Sequence, residues 1–152
     1  MALAIEILAG GRAKSAPETA LAESYLTRAR DAGRTLGLTS FVMVEYDERR
    51  PEKIFELVAS VPLVIALDEK GKSLSSEEFA RDLARWRDAG EPRALFVIGG
   101  PDGLTAEVKR RARSTIAFGT QTWPHLLVRT MLAEQLYRAV TILGGHPYHR
   151  AG

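Results

Sequence analysis

Cysteine is absent from the 152 residues of this chain. That excludes disulfides, zinc–thiolate sites, iron–sulfur clusters and every mechanism that needs a cysteine nucleophile. No stretch approaches the roughly 18 apolar residues of a membrane span. The opening MALAIEILAGGRAKS has no basic segment ahead of its apolar run, so it reads as a first strand and not as a signal peptide. A cytoplasmic location is expected. Internal repeats, low-complexity tracts and long linkers are also missing, and one domain over residues 1–152 is the expectation. Both common nucleotide fingerprints fail: AGGRAKS and IGGPDG match neither G-x-G-x-x-G nor G-x-x-x-x-G-K-[ST].

What remains is an ordinary globular composition, 45% hydrophobic and 26% charged. The net charge of +2 hides an asymmetry. Residues 1–92 carry 13 basic and 16 acidic side chains, whereas residues 93–152 carry 8 and 3. Sixteen of the 21 basic residues are Arg, the side chain suited to bidentate phosphate contacts and base stacking. The excess, with VKRRARS at 108–114, suits a polyanion-facing end; a GC-rich genome would produce it as well.

Hydrophobic spacing predicts strands at 2–8, 38–46, 61–68, 93–100 and 114–119. Helices are predicted at about 17–35, with Leu21, Tyr25, Ala29 and Ala32 inward, and at 51–60 behind Pro51. Ser75 and Glu78 form an S-x-x-E capping box for a third helix, with Phe79, Leu83 and Trp86 as its stripe and Gly90 as its end. A short helix at 105–113 and a last one from Pro124 to Leu143 complete the set, with Thr122 as N-cap and Gly144 past the end. Alternating strand and helix predicts an α/β fold: a mostly parallel sheet with helices on both faces.

Ligands of such sheets bind beyond the carboxyl ends of the strands. ALDEKG (66–71), IGGPDGL (98–104) and FGTQTWPH (118–125) occupy such ends and can converge on one pocket. The glycine run is either a tight turn or a place where backbone approaches a ligand. His125 and Arg129, spaced i, i+4, open the last helix beside its positive end; they are an anion site, or a cap and a solvated cation. Glu134 and Arg138 read as an ordinary helical ion pair. His146 and His149 have ligand spacing, but with no cysteine or acidic cluster nearby a metal site is not expected. A segment with Tyr148, His149 and Arg150 is nevertheless an unusual composition for a mobile tail.

FVIGGPDGL (96–104), WPHLLVRTMLAEQLYRA (123–139) and HPYHR (146–150), preceded by SSEEFA (75–80), resemble the RlmH family. These are ribosomal large-subunit pseudouridine N3-methyltransferases of the SPOUT superfamily. LAESYLTRA and VIALDEKGK extend the resemblance over essentially the whole chain. It implies a C-terminal trefoil knot, a rare exception among folds. It further implies a homodimer, S-adenosyl-L-methionine bound in the knot, and 23S rRNA in assembled ribosomes as substrate, with no metal and no membrane. The cofactor contacts it implies are Leu67, Gly99, Phe118, Gly119, Thr120, Gln121, Thr122 and Trp123. Trp123 stands where an aliphatic residue is common, and Leu126 where Gln often follows the His.

The acceptor nitrogen must lose a proton, and without cysteine a thiol cannot activate the base covalently. Arg129 and Arg150 are expected to hold phosphate or base carbonyls, His125 or His149 to take the proton or donate a hydrogen bond, and Tyr148 to stack on the nucleotide. RNA contacts are expected from the partner's tail and the basic 108–113 surface. The alternatives are another SPOUT-type RNA methyltransferase, a nucleotide-dependent oxidoreductase, and a non-catalytic α/β RNA-binding dimer.

Overall fold

The computed structural model describes residues 2–150. Five strands, β1 (Leu3–Gly10), β2 (Leu38–Tyr46), β3 (Val64–Ser73), β4 (Arg93–Ile98) and β5 (Ser114–Ala117), alternate with five α-helices. The helices are α1 (Pro17–Gly33), α2 (Pro51–Ala59), α3 (Ser76–Asp88), α4 (Ala106–Arg111) and α5 (His125–Leu143). The strand order is β2-β1-β4-β3-β5, and every pairing is parallel. Parallel pairing forces each return through a helix, so all strands end at the same edge of the sheet.

Both faces are covered, as strands this apolar require. Ala94, Phe96 and Ile98 of β4 point into a core shared with Leu26 of α1, Leu83 of α3 and Leu136 of α5. Leu95 and Val97 point the other way, toward Ile54 and Val58 of α2 and Val108 of α4. The period-2 alternation of one strand thus feeds two cores. Each fully buried Leu or Ile contributes about 1.5–3 kcal/mol.

Four boundaries differ from the sequence expectation for physical reasons. In α1 the inward stripe is Ala22, Leu26, Ala29 and Gly33, and Leu21 is 49% exposed. Small side chains let α1 lie close against α5 and against Leu38, whose carbonyl would meet a Cβ on Gly33 at 2.6 Å. Strand β3 does not stop at Asp68: after an irregularity between Leu67 and Lys72 it resumes pairing with β5 through Ser73. Thr122 does not cap α5, because its hydroxyl is bound to Glu69; Pro124 holds the cap position without a side-chain bond. The left-handed residue ending α5 is Gly145 (φ 71°), one position after Gly144.

The capping box of α3 forms in both directions: Glu78 N–H donates to Ser75 Oγ at 3.0 Å and Ser75 N–H to Glu78 Oε1 at 2.8 Å. Among the described residues the non-glycine positions with positive φ are Ser40 (φ 73°) and Phe41 (φ 48°), at a register shift of β2. The Arg30 guanidinium holds both carbonyls there, at 2.9 and 3.1 Å. No helix among the described residues is long and apolar enough to cross a membrane.

Candidate functional site

Two cavities lie side by side on the carboxyl edge of the sheet. The first, of about 680 Å³, sits over β3, β4 and β5. The three strand-end segments meet in it: Leu67 and Glu69, then Gly99 to Leu104, then Phe118 and Gln121 to His125. Gly119 and Thr120 belong to the same loop but are not part of the wall.

A glycine loop shapes the wall. A Cβ on Gly99 would sit 2.4 Å from the carbonyl carbon of Gly103, so the loop closes only with glycine there. The last loop is stapled at its ends, Trp123 Nε1 donating to the Phe118 carbonyl at 2.8 Å. Asp68, Glu69 and Asp102 are the acidic lining residues and Lys109, 3.8 Å from Asp68, is the basic one. Apolar walls, free backbone groups and an excess of carboxylates suit a small ligand with a flat apolar part and a positive charge.

The second cavity, about 1040 Å³, lies over the ends of β1 and β2. Here the wall is side chains. Arg129, 0% exposed, donates to Glu45 at 2.7 Å, to Thr19 Oγ1 at 3.4 Å and to the Gly10 carbonyl at 3.1 Å. Its Nε is buried and has no acceptor among the described residues. Glu45 also accepts from the Ala13 N–H at 2.7 Å, tying down the β1–α1 loop. Burial raises the Glu45 carboxyl, but the bonds from Arg129 and Ala13 and the charges of Arg129 and Lys14 outweigh it, leaving the group below its ordinary value. Asp47 accepts two bonds from the Arg49 guanidinium at 3.0 Å, and those bonds hold it down at about 2.

A thin seam separates the two. Glu48, in the wall of the second cavity, accepts from the Gly100 N–H in the wall of the first at 3.0 Å. Tyr46 O–H donates to the Ile98 carbonyl at 3.2 Å. Burial, then the Glu48 charge, pushes that phenol up to about 12. A Cβ on Gly10 would stand 2.7 Å from the Gly100 nitrogen.

The seam explains what becomes of His125 and Arg129. They do share one side of α5, but the helix crosses the seam. His125 lines the first cavity and Arg129 underlies the second. The expected joint anion site is therefore not formed.

The tail is also elsewhere. Tyr148 donates to Glu134 at 2.8 Å and packs edge-on against Tyr137 at 4.7 Å, with Arg138 over its ring. Burial and the Glu134 bond push its phenol far above the ordinary value. His149 Nδ1 lies 3.0 Å from Arg138, which can only donate, so the proton is on Nε2 and is donated to Glu77 at 3.0 Å. Arg150 is exposed. None of Tyr148, His149 and Arg150 lines either cavity of its own chain. Glu134 and Arg138 pair as expected and in addition anchor this tail.

The basic 108–113 surface is largely committed to structure. Arg111 donates to the carbonyls of Ala59 and Val61, Arg113 to Glu91, and Lys109 faces Asp68. Among the described residues no group of three metal-ligating side chains is found. Glu45, Glu48 and Tyr46 went unnoticed in the sequence. The signal available was EYDERR closing a strand, opposite a first βα turn that carries Arg12 and Lys14.

Residues 3–149 match the family model described as "Predicted SPOUT methyltransferase". A Bradyrhizobium diazoefficiens protein named ribosomal RNA large subunit methyltransferase H is 48% identical, over 97% of this chain and 99% of its own. A Nitrobacter winogradskyi protein of the same name is 49% identical, over 95% and 97%. Among solved structures, a probable methylase family protein from Haemophilus influenzae Rd KW20 has the same fold, with a TM-score of 0.53 at 14% identity over 98% of this chain and 70% of that one.

Proposed function

The chain belongs to the SPOUT methyltransferase family and to its ribosomal RNA large subunit methyltransferase H group, and from that premise we propose that it methylates N3 of a pseudouridine in 23S rRNA, on assembled ribosomes in the cytoplasm. The observation that carries this reading is the first cavity: the three segments the family resemblance marks for cofactor contact meet there. S-adenosylmethionine is the methyl donor of the family, and the cavity fits it. Its size, its apolar Leu67, Ile98 and Phe118, and its carboxylates suit an adenosine joined to a sulfonium and an ammonium. Leu67, Gly99, Phe118, Gln121, Thr122 and Trp123 would hold it from the wall, with Gly119 and Thr120 completing the stapled loop that carries the last four. When bound, this cofactor supplies an electrophilic methyl carbon, which the acceptor nitrogen takes as the sulfur–carbon bond breaks.

The chain's own groups then orient and deprotonate. His125 lines the cavity at the start of α5, within its positive end, and takes the imide proton or holds the neighbouring oxygen as charge develops. Tyr148, held neutral, can only donate a hydrogen bond or stack; it is not the base. The protein acts as a homodimer in which the partner subunit's tail reaches the cavity, with Arg150 toward phosphate. Two features support this: a chain's own tail lies away from its cavity, and the apolar Trp123 in the cavity wall and Leu127 on α5 are 38% and 40% exposed. Arg129 has no exposed atoms with which to hold substrate, so its contribution is to position α5.

Transfer of labelled methyl groups to ribosomes, isolated subunits and naked rRNA, followed by mapping of the modified base, tests the activity. A single labelled pseudouridine in ribosomes is expected. RNA association without methyl incorporation would point to a non-catalytic RNA-binding dimer instead. His149→Ala and Arg150→Ala should lower transfer while cofactor binding survives; unchanged rates in both would remove the tail from the mechanism.

A further inference from the structure

We propose that the second cavity binds phosphates of the RNA strand next to the acceptor nucleotide, with Arg12 and Lys14 as its phosphate contacts. The inference rests on the RNA-methyltransferase reading above and adds a binding site on the same chain as the cofactor cavity.

The argument starts from charge. The cavity wall carries four cations, Arg12, Lys14, Arg49 and Arg129, and three carboxylates, Glu45, Asp47 and Glu48. Each carboxylate is already engaged, Glu45 by Arg129, Asp47 by Arg49 and Glu48 by the Gly100 N–H. Arg12 and Lys14 are exposed and have no ion-pair or hydrogen-bond partner for their side chains among the described residues. Beneath them the Nε–H of Arg129 is a buried donor with no acceptor among the described residues. The cavity is thus a wide, basic, side-chain-lined recess, while the cavity beside it is acidic.

Position completes it. Unpaired cations on the rim of a recess draw in anionic ligands. The 108–113 run, the other concentration of positive charge, is mostly consumed by contacts within the fold. The two cavities share the Glu48–Gly100 seam, so a strand held by Arg12 and Lys14 lies in the recess next to the cofactor cavity. The Glu45 bond to Ala13 N–H fixes the loop that carries both cations, which lowers the entropic cost of presenting them. A phosphodiester, singly charged and approachable from an open recess, matches this better than a small acidic metabolite, which needs enclosure.

The test compares Arg12→Ala/Lys14→Ala with the charge-matched Arg34→Ala/Arg85→Ala. The latter removes two exposed cations whose partners, Asp31 and Asp82, lie three positions earlier in the chain. Binding of a short labelled single-stranded RNA is followed by anisotropy across a salt series, alongside cofactor binding by calorimetry and methyl transfer to ribosomes. The Arg12/Lys14 variant should bind RNA roughly tenfold more weakly at low salt, with the salt slope reduced by about 1.4. Its KM for ribosomes should rise with little change in kcat, and its cofactor affinity should equal that of the unaltered protein. No RNA binding by the unaltered protein at low salt, or equal affinities and slopes in the two variants, would overturn the subsite. Absence of methyl transfer by the unaltered protein is a different failure: it sinks the activity, while the anisotropy comparison still decides the subsite.

Discussion

The two cavities share an edge of the sheet and one helix, yet they are made of different materials. The first is closed by a tight loop in which Gly99 and Gly100 admit no Cβ, and it is lined by apolar and acidic side chains. The second is walled by charged side chains held in register by ion pairs and a loop amide. A loop closed on its own backbone reads shape; a recess lined by unpaired cations reads charge and tolerates changes of volume. Close steric fit and long-range attraction are therefore divided between neighbouring sites, and the thin seam keeps them in a fixed relation.

That contrast breaks most severely at Arg129. Arg129→Ala leaves Glu45 in its pocket without its cation and should cost about 3–5 kcal/mol, read from a urea midpoint. Arg129→Met with Glu45→Leu should recover much of the loss, because the unpaired charge is then gone. At the first cavity Gly99→Ala drives a methyl into the Gly103 backbone. It should cost about 1–3 kcal/mol and abolish measurable cofactor binding by calorimetry, leaving the salt dependence of RNA binding intact.

Acid sharpens the difference further. The Glu45 carboxyl is lower in the folded chain than its ordinary 4.5, so its stabilisation is complete above that value and disappears as pH falls through the lower folded one. Urea midpoints taken between about pH 6 and about pH 3 should fall less steeply in Glu45→Gln than in the unaltered protein. The smallest change is expected at the seam. Tyr46→Phe removes the bond to the Ile98 carbonyl, a loss of about 0.5–1.5 kcal/mol by thermal unfolding, with both binding activities retained.

These materials also decide what could be read in the sequence. The sheet and its first cavity were legible because local patterns build them: period-2 strands, a capping box at Ser75 and Glu78, and glycine-rich turns at strand ends. The second cavity was not, because its logic lies in pairs far apart in the chain. Arg129 and Glu45 are 84 positions apart, and Glu48 and Gly100 are 52 apart. The contacts of the tail within its own chain were hidden for the same reason. Nothing local in HPYHR tells that its Tyr and His bind Glu134 and Glu77. In α1 the expected Ala29 does point inward, but the close approach to α5 selects Ala22, Leu26 and Gly33 beside it instead of Leu21 and Ala32.

The staple between Trp123 and the Phe118 carbonyl has an optical consequence. The chain holds two tryptophans: Trp86, packed edge-on against Phe96 in the core, and Trp123, part of the wall of the first cavity. Their emission therefore separates by colour, blue from the shielded indole and red from the wetted one. A Trp86→Phe protein would carry a single fluorophore whose hydrogen bond and hydration change when the cavity fills. Occupancy of the site can then be followed by light alone, in a protein with no label attached.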